Sequence, residues 1–145
     1  MTNGTDDLKL CKQLCFPLYA AAKEAVKQYH PLLKQLDLTY TQYITMLVLW
    51  EKKEITVKDL GERLYLDSGT LTPLLKKLEG KGYLNRSRHA EDERIVMVTV
   101  TPEGQALKRQ CATLPEKMEA CMKLTYDEAK ELYRLLYKLL NTLNG

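Results

Sequence analysis

Two sets of residues in this 145-residue chain could do chemistry: four thiols and a strip of cations. The thiols are Cys11, Cys15, Cys111 and Cys121. Residues Met1 to Asp7 are polar and acidic where a secretion signal would be basic and then apolar. No run approaches the roughly 20 apolar residues of a membrane span. A cytoplasmic, reducing location is therefore expected. There the cysteines read as thiols with packing or redox roles rather than as a disulfide framework. A metal site built from Cys11, Cys15 and a histidine lacks support, because no paired-ligand motif is present and His30 and His89 lie far apart. No metal and no other cofactor is expected.

The net charge of +3 does not by itself name a nucleic-acid partner, so its distribution decides more. From Ser68 to Ala90 the cations Lys76, Lys77, Lys81, Arg86 and Arg88 stand against Glu79 alone. Such a local excess suits phosphate groups. A solvated helix face is the competing account.

The elements that must position these groups follow from apolar spacing. Leu10, Leu14, Leu18, Ala21, Ala22, Ala25 and Val26 recur at three and four, predicting a long first helix from Leu8 to about Tyr29 with a kink near Pro17. Thr39 to Gln42 reads as a capping box that starts a second helix at Tyr40. Thr56 can cap a short helix through Leu64, and Asp67 or Ser68 can cap another that carries Leu71, Leu74, Leu75 and Leu78 on one side. Pro73 predicts an irregular first turn there, and Gly80 and Gly82 end the helix. Residues 83–88 and 94–100 alternate with strand period around a polar connection. Thr101-Pro102-Glu103 opens a further helix that Pro115 breaks, and Thr125 to Glu128 caps the last one. Two short helices, a tight turn and a hairpin make a mainly α fold with a small β-hairpin wing, a winged helix-turn-helix over residues 55–100. The last helix bears Leu132, Leu135, Leu136, Leu139, Leu140 and Leu143. That stripe either crosses the domain core or pairs with the first helix of a second subunit. Pairing is the favoured expectation, so 8–36 and 102–145 are assigned to dimerisation within one 145-residue domain.

A helix-turn-helix offers its second helix to the major groove of double-stranded DNA. Its polar positions here are Ser68, Thr70, Thr72, Lys76 and Lys77, with hydroxyls and free amides suited to base edges and phosphates. Ser68 as a helix cap alone is the plainer alternative. In the hairpin, Arg86, Arg88 and Arg94 flank a loop that can lie along the duplex, and Asp92 can orient Arg94 through a bidentate pair. A plain surface salt bridge competes with that assignment.

Leu14-Cys15-Phe16, Leu38 to Tyr43, Leu49-Trp50-Glu51, Leu66 to Lys76 and Asp92-Glu93-Arg94 together resemble the OhrR branch of the MarR family of transcription regulators. The likeness runs from about Leu8 to Gly104 and is looser beyond. It implies a MarR-like homodimer that represses transcription from a pseudo-palindromic operator until an organic hydroperoxide oxidises an N-terminal cysteine. Carried over, that cysteine is Cys15. The resemblance also implies tyrosine hydroxyls supplied to it by the partner subunit, with Tyr29 and Tyr40 in the matching places and Tyr19 nearby. Phenol donors and the capped helix start at Thr39 would favour a thiolate, and Phe16, Leu47 and Trp50 would give an apolar surround. Some members resolve the sulfenic acid with a second cysteine from the C-terminal helical region. Cys111 and Cys121 both lie there, Cys121 being preferred because it follows Pro115. Cys11 departs from the branch and is either inert or a local disulfide partner. The alternatives are a core thiol for Cys15 and core packing for the tyrosines. A regulator answering to a bound phenolic ligand or to a metal remains the rival function. An enzyme is disfavoured because no acid, base or cofactor signature accompanies the thiol.

Overall fold

The computed structural model describes residues 4–144, so the first three residues of the polar stretch Met1 to Asp7 lie outside it. Two compact units form, Met1–Ala112 and Thr113–Gly145, and the division falls inside the helical region expected to dimerise. The first unit holds α1 (Cys15–Lys34), α2 (Tyr40–Lys52), β1 (Glu54–Thr56), α3 (Val57–Leu64), α4 (Ser68–Gly80), β2 (Leu84–Arg88), β3 (Val96–Val100) and α5 (Pro102–Gln110). The second holds α6 (Leu114–Met122) and α7 (Tyr126–Leu143).

Side-chain caps start five of these helices. Thr39 Oγ1 accepts from Gln42 N at 3.2 Å while Thr39 N donates to Gln42 Oε1 at 3.1 Å, the reciprocal box expected for α2. Thr56 caps α3, Thr101 caps α5 ahead of Pro102, and Thr125 and Glu128 form a second box on α7. For α4 the cap is Asp67, whose Oδ1 accepts from Thr70 N at 2.7 Å. Ser68 is thereby released from capping.

Three expectations change. The first helix starts at Cys15, not Leu8, and residues before it form two short 3-10 turns, Asp6–Leu8 and Leu10–Lys12. A helix running back through Gln13 would need an N–H on Pro17 to satisfy the Gln13 carbonyl. As the third residue of α1, Pro17 sits where amides have no intrahelical acceptor, so it opens the helix rather than kinking it. Pro73 likewise leaves α4 helical from Ser68 onward, without the irregular turn. Finally, the hairpin gains a third strand. The sheet order is β1-β3-β2, antiparallel throughout, with Ile55 opposite Val98 and Leu84 opposite Val100.

The core of the first unit is where α2, α3, α4 and the sheet converge. Met46, Leu49, Leu60, Leu71, Leu75, Leu78, Leu84 and Val98 are all at or below 1% exposure. The four leucines predicted on one side of α4 are all buried. By contrast α1 buries only Leu33, and it exposes Leu18 and Val26. No described residue of α7 is buried, and Leu132, Leu135 and Leu139 remain open. No described helix is long and apolar enough to cross a membrane.

Trp50 ties α2 to α5, its Nε1 donating to the Gly104 carbonyl at 2.8 Å inside the core. A Cβ on Gly104 would lie 2.2 Å from the Tyr83 carbonyl oxygen and 2.8 Å from Val100 Cγ2. The backbone there cannot give way cheaply. Gly104→Ala is expected to lower stability by about 2–3 kcal/mol, the range of core overpacking, read as a drop in the urea midpoint at unchanged slope.

Candidate functional site

Cys15 is the first residue of α1 and is exposed. Leu14 before it provides no side-chain cap, so the amides of this first turn keep their hydrogen-bonding capacity at the positive end of the helix. Tyr29 lies fourteen residues further along the same helix, about 21 Å away at 1.5 Å per residue. Tyr19 is exposed on α1 between the two.

At that far end the protein does bring tyrosines together. The Tyr29 ring sits 4.8 Å from Tyr40 and 5.7 Å from Tyr43, centroid to centroid, with Tyr40 and Tyr43 6.4 Å apart. Tyr43 was legible only as a core position. Its membership follows from lying three residues after Tyr40, on the same face of α2. Burial raises the Tyr29 and Tyr40 phenols above their ordinary range, and Tyr40 beside Tyr29 adds to the effect on Tyr29. Burial, with Tyr29, Cys111 and Tyr40 nearby, pushes Tyr43 up to about 12. All three are neutral hydrogen-bond donors at neutral pH.

The remaining thiols differ in access. Cys111 is 3% exposed and burial pushes its thiol up, whereas Cys11 and Cys121 are exposed. Phe16 and Leu47 are about half-open, while Trp50 is taken up by the core. Among the described residues no three His, Cys, Asp or Glu side chains gather as metal ligands.

The cationic strip is sorted by its partners. Ser68, Thr70, Lys76 and Lys77 are exposed along α4, and Thr72 is half-buried. Arg86 is engaged inside the fold: its backbone N donates to Glu79 Oε2 at 2.9 Å, and its NH2 and Nε donate to Oε1 at 3.1 and 3.4 Å. This clamp joins the end of α4 to β2. Arg88 NH1 donates to the Glu93 carbonyl at 2.7 Å and closes the wing. Arg94 stands out from the wing tip with its side chain 90% exposed. Asp92 holds it as expected: Oδ1 accepts from Arg94 N and Nε at 3.0 and 3.1 Å, and Oδ2 accepts from NH2 at 3.0 Å. Hydrogen bonds from Arg94 keep the Asp92 carboxyl below the usual range, and those from Arg86 do the same for Glu79.

Similarity to known proteins agrees with this geometry. The family described as the transcriptional regulator SarA/Rot matches residues 27–111. The organic hydroperoxide resistance transcriptional regulator of Bacillus subtilis is 47% identical over 144 residues, covering 99% of this chain and 98% of that protein. The structure of reduced AbfR bound to DNA matches with TM-score 0.77 and 36% identity over 99% of this chain and 100% of that one. The disulfide-formed AbfR structure matches less closely, TM-score 0.64 at 36% identity over 96% and 94%.

Two outcomes follow for the wing. Glu79 has a depressed carboxyl, so its contribution is present above the ordinary glutamate range and is lost as pH falls through the folded value. Protection of the Arg86 amide against hydrogen exchange should therefore disappear in acid before the core unfolds, and Glu79→Gln should reduce it at neutral pH. An Arg86 amide equally protected in Glu79→Ala would refute the clamp. Arg94→Ala should weaken DNA binding about tenfold, with the loss confined to flanking A·T-rich positions in a footprint.

Proposed function

Because the chain belongs to the MarR-type transcription regulators, in the branch of the organic hydroperoxide resistance regulator, we propose that it is a DNA-binding repressor that senses organic hydroperoxides through Cys15 and then leaves its operator. The observation that carries the sensing step is the distance along α1. An exposed thiol at one end and neutral phenols about 21 Å away on the same helix cannot meet within one chain. Two α1 helices laid antiparallel in a homodimer bring each Cys15 to the partner's Tyr29 and Tyr40, with Tyr19 at intermediate depth. The exposed leucines of α1 and α7 supply apolar surface for such pairing.

The chemistry then balances. The Cys15 thiolate attacks the hydroperoxide, the O–O bond breaks, the thiol becomes a sulfenic acid and the peroxide leaves as its alcohol after taking up a proton. A second thiol condenses with the sulfenic acid to give a disulfide and water. Access favours Cys121 for that step over Cys111, whose thiol is buried. The chain acts once per signal and is regenerated by a thiol reductant, so it is a regulator rather than an enzyme, working in the cytoplasm where its DNA is. Ser68, Thr70, Thr72, Lys76 and Lys77 face the major groove of a pseudo-palindromic operator, with half-sites about one helical turn apart and Arg94 in the minor groove. Arg86 and Arg88 brace the wing.

Cys15→Ser should bind the operator normally and stay bound when cumene hydroperoxide is added, in a band-shift where wild type is released and recovered by dithiothreitol. Release of Cys15→Ser by peroxide would transfer sensing to another cysteine. Tyr29→Phe and Tyr40→Phe should slow oxidation several-fold in stopped flow. On a non-reducing gel, Cys121→Ser should lose the intersubunit disulfide while Cys111→Ser keeps it. Placing charges at Leu136 and Leu139 should abolish the dimer in sedimentation, because burying an unpaired charge costs several kcal/mol. A wild type sedimenting as monomer at micromolar concentration refutes the pairing.

A further inference from the structure

Among the exposed thiols, Cys11 is the nearest to Cys15 along the chain, four residues before it. It lies in the 3-10 turn Leu10–Lys12. Cys111 is buried, and Cys121 belongs to the second unit. Every residue from Asp7 to Tyr19 is exposed. The turn that carries Cys11 is therefore not anchored in the core, and it can move without opening a buried contact.

The backbone shows how far it must move. Gln13 is extended, at φ −96° and ψ 111°. On one side of it Lys12 belongs to the 3-10 turn, and on the other Leu14 already has helical angles, φ −62° and ψ −36°. Turning Gln13 alone to helical angles makes the step from Cys11 to Cys15 helix-like, about 6 Å over four residues with both side chains on one face. That falls inside the range of about 4.4–6.8 Å that a disulfide spans between Cα atoms. Most of the change is in ψ, so the turn swings as a unit. Gln13 N keeps donating to the Leu10 carbonyl, and the Gln13 carboxamide to those of Asp7 and Lys9.

Given Cys15 as the hydroperoxide sensor, on which this step rests, we infer that Cys11 is a resolving thiol within the same chain and that oxidation closes a Cys11–Cys15 disulfide. The Cys11 thiolate attacks the sulfenic sulfur of Cys15. The S–S bond forms as the S–O bond breaks, and the departing hydroxide takes up a proton to leave as water. The two electrons given up by the pair of thiols have gone to the organic hydroperoxide, which leaves as its alcohol. A tether of three residues keeps the attacking thiol beside its target whatever the second subunit does. Cys15 is capped before another oxidant molecule reaches it, and without a covalent bond between subunits. In the wild type the sulfenic acid divides between Cys11 and Cys121, so single-chain and cross-linked oxidised forms coexist.

The test uses full-length protein carrying Cys111→Ala and Cys121→Ser, whose remaining thiols are Cys11 and Cys15. It is treated with cumene hydroperoxide in the absence of small thiols and then alkylated. Trypsin cuts after Lys9, Lys12 and Lys23, so the peptides Leu10–Lys12 and Gln13–Lys23 stay together only through a disulfide. The expected result is that linked pair, from protein that runs as a single chain on a non-reducing gel, and its loss when Cys11→Ser is added. Wild type, whose fold no substitution touches, should give the same pair from its single-chain band. Cys15 trapped by dimedone or recovered as a sulfinic acid, beside alkylated Cys11, overturns the inference and leaves thiol sensing intact. The linked pair found only in a cross-linked dimer overturns the single-chain geometry. Both thiols recovered alkylated after peroxide overturn sensing by Cys15 itself, and the inference falls with it.

Discussion

The length of α1 is the constraint on which the rest depends. A helix is a rod with fixed rise, and Cys15 and Tyr29 stand at opposite ends of one. No rotamer change closes that separation. In the proposed sensor the Cys15 thiol and the phenol cluster are therefore incomplete halves in each chain, and the exposed Leu18 and Val26 lie on the helix between them. Under the proposed function, sensing and dimerisation become one requirement: the contact that hides apolar surface is also the contact that assembles the site. An exposed Cys15 at the helix start and a buried Cys111 accord with that proposal. A thiol intended for a partner must be reachable, and a thiol used for packing is better kept inert.

The DNA-facing part is organised in the opposite way, by local bonds that leave little to rearrange. Asp67 takes over the cap of α4 by accepting from Thr70, and so frees Ser68 at its first turn. Glu79 clamps Arg86 through three hydrogen bonds, so β2 moves with α4. Asp92 grips both the backbone and the guanidinium of Arg94, fixing the direction of the most exposed cation on the wing. Exposed ion pairs of this kind contribute little to stability. Their effect is geometric, since a side chain already oriented loses less freedom on binding; for Arg94 the proposed ligand is the minor groove.

Much of this was legible in the chain itself, and the exceptions have physical causes. Caps at Thr39, Thr56, Thr101 and Thr125 are local events written in three or four adjacent residues, and each stands where it was expected. The leucine face of α4 followed from periodicity alone. Periodicity also carried the first helix back to Leu8, because apolar spacing does not register that Pro17 lacks the donor needed to continue. The strand β1 is three residues long with a single buried apolar side chain, Ile55, and exists only because β3 offers it an edge. Arg86 looked like Arg94 by charge. What separates them is Glu79, seven residues before Arg86 and across a turn, a pairing that composition does not reveal.

The two halves meet through α2. It carries Tyr40 and Tyr43 toward α1, and it also packs against α3, α4, α5 and the sheet. Met46 and Leu49 on this helix have no exposed surface at all, so α2 cannot shift without displacing what it touches. Close-packed interiors transmit such displacements instead of absorbing them. On the proposed mechanism, a change in the hydrogen bonding of the phenols reaches α4 over a single intervening helix. The effect required is small. A preference of about 3 kcal/mol between two arrangements of the dimer alters operator affinity roughly a hundredfold, comparable to a few phenol–thiolate hydrogen bonds made in one arrangement and lost in the other. Because operator half-sites are read together, a misplacement of α4 in either subunit is felt by both.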